Sequence, residues 1–365
     1  MIKNAFVVVL LVSFLLFTHA FAEGQLVITD MAGRQLKVPK KIERIVALHA
    51  SLRYVTYLQA FDKVVGVEGV EKQRVTKGNQ AEGKPYWLTI ADKVEKIPAV
   101  GEGGPGKLPD FERLISVKPD IVLVFEPELA EAIQRKTGIP AIVISYAGTQ
   151  GFKMEEIQRT FSFMGKLLGK EERAKELNDY IDRLIADLQK RTASSNRPSV
   201  YIGAISARGS HGITSTESKY PPLQWLNVNN VVDEIGREGH IFVDREKLLV
   251  WNPDFMFIDT GGLPLVEEDY LKHKDFYRQL KAVKGGNVFT VFSYNFYRTN
   301  LEILMANSYF IGKTIYPKEF QDIVVEEKAR EIFKMFLCRD VLDSIKEVYK
   351  GYAKVRFTEN GISLH

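Results

Sequence analysis

The sequence predicts an α/β protein of two pseudo-symmetric lobes joined by a single long interdomain helix, and three observations carry that expectation. Short, near-continuous Val/Ile runs recur in both halves of the chain, separated by segments of helical or loop length. Runs of this kind belong to parallel strands buried on both faces. A segment of the first half, Phe111 to Asp120, returns in the second as Arg245 to Asp254, with Glu112/Glu246, Leu114/Leu248, Pro119/Pro253 and Asp120/Asp254 each 134 residues apart. Between the halves lies a long stretch of helical periodicity.

In chain order, residues 1–22 read as a signal peptide. Lys3 gives a short positive start, Ala5 to Phe17 is apolar apart from Ser13, and Ala20-Phe21-Ala22 gives a small-x-small cleavage pattern. The apolar run is shorter than the roughly 20 residues that span a bilayer. No Cys follows it to take a lipid, so the expected product is a periplasmic protein released by a cleavable signal peptide, not a lipoprotein. The N-terminal lobe is placed at 23–152. It opens with a hairpin (Leu26–Thr29, Gln35–Val38) around Asp30-Met31-Ala32-Gly33 and continues with strands at 44–48, 63–67, 120–125 and 141–144.

The linking helical segment is 153–193. Ile157, Phe161, Met164 and Leu168 keep helical spacing up to Gly169, and Ala174, Leu177, Ile181, Leu184, Ile185 and Leu188 continue it. Pro119 and Pro253 each stop a short helix ahead of a buried strand. The C-terminal lobe, 194–310, has strands at 199–205, 254–259 and 287–291, and 311–365 reads as C-terminal helices packing on the lobes.

Composition narrows the function classes. The 365 residues are 45% hydrophobic and 26% charged, which excludes a disordered chain. Fifty Lys and Arg stand against 46 Asp and Glu, interspersed, so no nucleic-acid surface is expected. The single cysteine, Cys338, read within a helix, precludes an internal disulfide. The chain contains no Gly-x-Ser-x-Gly elbow, phosphate loop or His-Glu-x-x-His helix. An enzyme is therefore not expected, and an exported hydrolase is a distant alternative.

The opening Ile28 to Arg34, the Arg44 to Leu48 strand, the Glu112 to Val122 and Glu246 to Ile258 segments, and Gly165 to Ala174 at the start of the linking helix form an ordered pattern. It resembles the class III periplasmic substrate-binding proteins, which serve ABC transporters for ferric siderophores, haem, cobalamin and related ligands. The resemblance covers about 25–320. It implies the class III periplasmic-binding-protein fold and a receptor that captures a metal chelate (ferric siderophore, haem or corrinoid) in the interlobe cleft for an inner-membrane permease. A small oxyanion such as molybdate or tungstate is the alternative ligand. It also implies that Glu112 and Glu246 dock onto Arg residues of the two permease subunits, which work with their ATPase subunits. A pseudo-symmetric carboxylate pair suits a two-fold partner, through charge-assisted bonds. A monomer with no intrinsic cofactor is expected.

Ligands of two-lobed α/β proteins sit at the carboxyl ends of the strands. That rule nominates His49, Arg53, Tyr86, Trp87 and Tyr146 from the first lobe, and Arg208, His211, Tyr294, Tyr297 and Arg298 from the second. Arg208 and Arg298 could clamp an oxyanion or carboxylate with paired donors. The tyrosines and Trp87 could line a chelate, and aromatic density at 86–87 and 294–297 favours the larger ligand. His240 is assigned to lobe structure. No histidine spacing marks a metal site, so direct metal ligation is left open.

Overall fold

The computed structural model describes residues 24–72, 83–104, 106–145 and 152–365; the expected signal peptide and Tyr146 lie outside them. Strands β1 (Gln25–Thr29) and β2 (Gln35–Pro39) form the opening antiparallel hairpin. Its turn is organised by Asp30, whose carboxylate accepts from the Ala32 and Arg34 backbone N–H groups and pairs with the Arg34 guanidinium at 2.7 Å. The same carboxylate accepts from Val143 N–H, tying the hairpin to the first lobe.

The first lobe holds β3 (Ile45–Ala47), β4 (Val64–Gly66), β5 (Ile121–Val124) and β6 (Ala141–Val143). All are parallel, in the spatial order β4-β3-β5-β6. The second lobe holds β7 (Ser199–Gly203), β8 (Ser215–Ser218), β9 (Asn229–Asn230), β10 (Gly239–Phe242), β11 (Phe255–Asp259) and β12 (Val288–Val291). Its parallel sheet runs β12-β11-β7-β9, and β8 and β10 pair as a separate antiparallel ribbon. Counting only the strands of each parallel sheet, both lobes place the first strand centrally, flanked by the second and third, with the fourth outermost. The two lobes share one topology.

The repeated segment explains how each sheet is set. Asp110 and Asp244 cap the short helices Phe111–Ser116 and Arg245–Trp251, their carboxylates accepting from backbone N–H groups of the first turn. The inward-facing Leu114 and Leu248 are fully buried. Lys118 and Asn252 then take left-handed backbone, at φ 45 and 41°, so that the chain can turn at the proline into β5 or β11. Asp120 receives the Glu43 and Arg44 N–H groups at 2.7 and 2.8 Å, and Asp254 receives Ser199 N–H and its hydroxyl at 2.9 and 2.7 Å. In each lobe this aspartate pins the start of the first strand to the third.

The linking segment is two helices, Met154–Leu168 and Glu171–Thr192. They pack tightly where Gly165 meets Ala174: a Cβ added at Gly165 would stand 2.7 Å from the Ala174 Cβ. One core cluster runs from Val38, Tyr57 and Phe161 through Leu184 to Val200, Phe292 and Phe336, and so includes both lobes and these helices. Smaller clusters fill the outer side of each sheet. No helix among the described residues is long and apolar enough to cross a membrane.

Three expectations need correction. The C-terminal region is not purely helical. Its first helix begins earlier, at Leu301, and the chain finishes in a hairpin of β13 (Val355–Thr358) and β14 (Gly361–Leu364) around Glu359-Asn360. Cys338 is not inside a helix but ends one in left-handed backbone, exposed to solvent. Tyr86 and Trp87, nominated by the strand-end rule, do not lie at a strand end; they belong to the helix Pro85–Val94, whose proline occupies the first turn, where its missing N–H costs nothing.

Candidate ligand cleft

The carboxyl ends of both parallel sheets face a cavity of about 810 Å³. From the first lobe it is lined by His49, which follows β3, by Glu126, which follows β5, and by Gly104 and Gly106. From the second come Ser206 to Ser210, which follow β7, His240 of β10, and Asn295 to Arg298, which follow β12.

Glu126 is the centre of its charge pattern. Its carboxylate receives the Arg298 guanidinium at 2.6 Å on one oxygen and faces His49 Nδ1 at 2.8 Å on the other. The other ring nitrogen of His49 lies 3.1 Å from the Lys107 carbonyl, so both nitrogens meet acceptors. Burial works against a charged His49, but the Glu126 hydrogen bond and the Glu68 and Glu126 charges outweigh it and raise its pKa. Burial likewise opposes an ionised Glu126, yet His49 and Arg298 hold its pKa below the ordinary value. Arg298 also stacks over the Phe125 ring, 4.5 Å from its centroid.

Several of these contacts cross between the lobes. Besides Arg298–Glu126, the Tyr297 hydroxyl donates to Glu68, and Arg53 Nη2 donates to the Phe296 and Tyr297 carbonyls at 3.1 and 2.8 Å. The 295–298 segment is thereby gripped by the opposite lobe. Burial pushes the Glu68 carboxyl up to about 7, against the Tyr297 hydrogen bond and the His49 charge. The backbone here is strained: His49, Ala204, Arg208, Tyr297 and Arg298 all have φ between 47 and 67°. Non-glycine residues seldom adopt that region, and such strain gathers at binding sites. His49 and Ala204 occupy equivalent places, each five residues beyond the strand start pinned by an aspartate.

The structure brings His49, Arg208, Tyr297 and Arg298 together in the cleft, with Arg208 the most exposed of them. The other nominated residues stand elsewhere. Arg53 is buried behind the cleft, stacked over Tyr86, where it holds the 296–297 backbone. Tyr86 and Trp87 are core residues that donate to the Glu71 carboxylate and to its backbone carbonyl, both at 2.7 Å; Lys84 pairs with the same carboxylate at 2.9 Å. Tyr294 is buried and donates to Glu217. These hydroxyls and the indole N–H are used inside the protein, so the aromatic lining is smaller than the sequence suggested.

His211 is turned into its own loop, with Nε2 2.8 Å from the Ala207 carbonyl, and its ring lies 5.9 Å from that of His240. His240, assigned from sequence to lobe structure, is a wall residue instead. Glu126 and Glu68 escaped the sequence reading, although both directly follow strands and the strand-end rule would have found them. Among the described residues no group of three or more His, Cys, Asp or Glu is arranged to hold a metal ion.

A family model for periplasmic binding proteins matches residues 45–294, from the first buried strand to the cleft segment after β12. The chain belongs to the periplasmic binding protein family. This is a family of substrate-binding transport proteins, not of enzymes. The molybdate-binding protein MolA of Haemophilus influenzae is 24% identical over 352 residues, which are 90% of this chain and 95% of MolA. The petrobactin-binding protein of Bacillus subtilis is 26% identical over 53% of this chain and 62% of its own length. Among solved structures, MolA bound to molybdate aligns with a TM-score of 0.67 at 19% identity, covering 86% of this chain and 98% of MolA. A periplasmic solute-binding protein of Veillonella parvula gives 0.66 at 21% identity over 89% and 96%. At such identities the structural likeness establishes the fold: this periplasmic binding protein has the expected two-lobed, class III architecture.

Proposed function

We propose that this periplasmic binding protein is the monomeric receptor of an ABC importer and captures an anionic metal chelate between its lobes. It delivers the chelate to the permease by docking Glu112 and Glu246 on the two membrane subunits, and residues 1–22 act as its cleaved export signal, without lipid attachment. The observation that carries the ligand class is the cleft itself. At about 810 Å³ it lies in the roughly 300–1,000 Å³ range of sites for molecules of several hundred daltons, and its walls present Arg208, Arg298, His49 and His240. A carboxylate- or catecholate-bearing chelate supplies the complementary charge. No chemistry is done on the ligand.

A second reading has its own support. Similarity to MolA runs over nine-tenths of this chain, and a tetrahedral oxyanion held by Arg208 and Arg298 would need only part of the cavity. Native mass spectrometry with an absorbance spectrum, on protein released gently from the periplasm, separates the two. A coloured, stoichiometric gain of several hundred daltons supports the chelate. A colourless gain equal to one molybdate or tungstate, with saturable binding of that anion on titration, replaces it with the oxyanion reading.

A further inference from the structure

A second cavity lies away from the cleft, where the helices Leu301–Ile315, Val325–Leu337 and Leu342–Tyr349 meet the end of β12. It measures about 280 Å³ and has an apolar floor. Phe292 and Leu342 are buried there. The Tyr352 ring lies 4.4 Å from that of Phe292 and stacks on that of Phe310 at 4.3 Å and 11°. Hydrogen bonds hold these walls. The Tyr352 hydroxyl donates to Asn307 Oδ1 at 3.1 Å, and Asn307 Nδ2 donates to the Phe292 carbonyl at 2.9 Å. Thr290 Oγ1 donates to the Gly351 carbonyl at 3.0 Å. The cavity is therefore preformed, as small-molecule sites usually are.

Its rim is basic. Lys313, Lys346 and Lys350 line it against a single carboxylate, that of Glu326. Glu326 is already engaged, by Arg330 at 2.9 Å and by Lys346 at 3.2 Å. Lys313 Nζ donates to the Phe320 and Gln321 carbonyls at 2.7 and 3.3 Å, and Lys350 is exposed. An ammonium carries three donors, so the rim keeps both positive charge and hydrogen bonds for an anionic group. The floor beneath it suits a ring. The site is separate from the cleft. The helix Leu301–Ile315 begins just after the cleft segment, and Thr314, which lines the second cavity, stands about 20 Å further along its axis.

We propose that this cavity is a second binding site, for a small aromatic acid. The ring lies against Tyr352 and Leu342, and the carboxylate or sulfonate stands among Lys313, Lys346 and Lys350. The rim sets the sign of the charge and the floor sets the ring. The volume sets the size. At about 280 Å³ the cavity falls just below the roughly 300–1,000 Å³ of sites for drug-sized ligands, so it takes one or two fused rings and excludes a lipid or a siderophore-sized chelate. The site is independent of whatever the cleft binds.

The test is a fluorescence titration of the purified protein with two probes: dansylate, a naphthalene bearing a sulfonate, and dimethylnaphthylamine, the same rings without the acid. Saturable binding of dansylate is expected, about tenfold or more tighter than that of the neutral amine. Thr314→Trp, which fills the cavity from a half-buried helix position, should abolish it. Lys350→Gln, at an exposed position, should weaken it about twofold to fivefold. Thermal melts check that both variants fold, and Lys350→Gln carries the test if Thr314→Trp does not. No dansylate binding, or an affinity that Lys350→Gln leaves unchanged, would overturn the site. Equal binding of the two probes would overturn the choice of an acid. Dansylate binding that survives Thr314→Trp would place the probe elsewhere, in the cleft if Arg298→Ala abolishes it, and would overturn the site as well.

Discussion

Glu126 shows how single residues set the affinity of the cleft. Its carboxylate engages Nη2 of Arg298, a donor that an anionic ligand would use. Arg298→Ala should weaken binding of ferric citrate or molybdate, whichever the protein takes, by roughly tenfold or more, the cost of losing a charge partner in a closed site. Glu126→Gln should do the reverse and tighten it about twofold to fivefold, the strength of a half-exposed ion pair. Isothermal titration checks both, and a Glu126→Gln protein that binds more weakly would show that the carboxylate contacts the ligand rather than competing with it. At this scale the sequence was read unevenly. His49, Arg208, Tyr297 and Arg298 follow strands and were found by that rule. The same rule also nominated Tyr86, Trp87 and Tyr294, but their polar atoms are consumed by Glu71 and Glu217, partners that only the folded chain brings near. Their aromatic character served burial.

Elements were more legible, because their signals are local. Buried Val/Ile runs located the strands of both parallel sheets, apart from β9, to within a residue or two, and the prolines located the ends of the paired helices. The ribbon of β8 and β10 was missed since Ser215-Thr-Glu-Ser218 carries no apolar alternation; it is buried through hydrogen bonds instead, such as Ser215 Oγ to the Ile205 carbonyl and Thr216 Oγ1 to the Ile202 carbonyl, both 2.6 Å. The repeated aspartate caps make a prediction of their own. Asp110→Ala and Asp244→Ala should each cost about 1 kcal/mol of stability, close to additively, since the caps lie on different lobes. Chemical denaturation of the single and double variants measures this, and ligand affinity should not change.

The whole molecule carries an unusual charge burden in its interior. Burial pushes the carboxyls of Glu68, Glu217 and Asp259 up to about 7 each, against the hydrogen bonds that favour their ionised forms. Between the unfolded carboxyl range and pH 7 the native state keeps protons that the unfolded chain has lost. Stability therefore falls as pH rises through that window, and this contribution is gone above it. The melting temperature should be higher at pH 5.5 than at pH 8, and Glu217→Gln should reduce the difference by roughly 2–4 °C for each kcal/mol removed. A pH-independent wild type would contradict it. The two-lobed plan was readable from the repeat. The continuity of the interior was not, because contacts among Tyr57, Phe161 and Phe336 join residues far apart in the chain. That continuity bears on descent. Two copies of one ancestral unit account for the shared strand order, yet each copy now lends side chains to the largest core cluster, together with the linking helices and the last helices of the chain. A gene divided at residue 194 would encode two halves of one interior, and neither half should fold when made without the other.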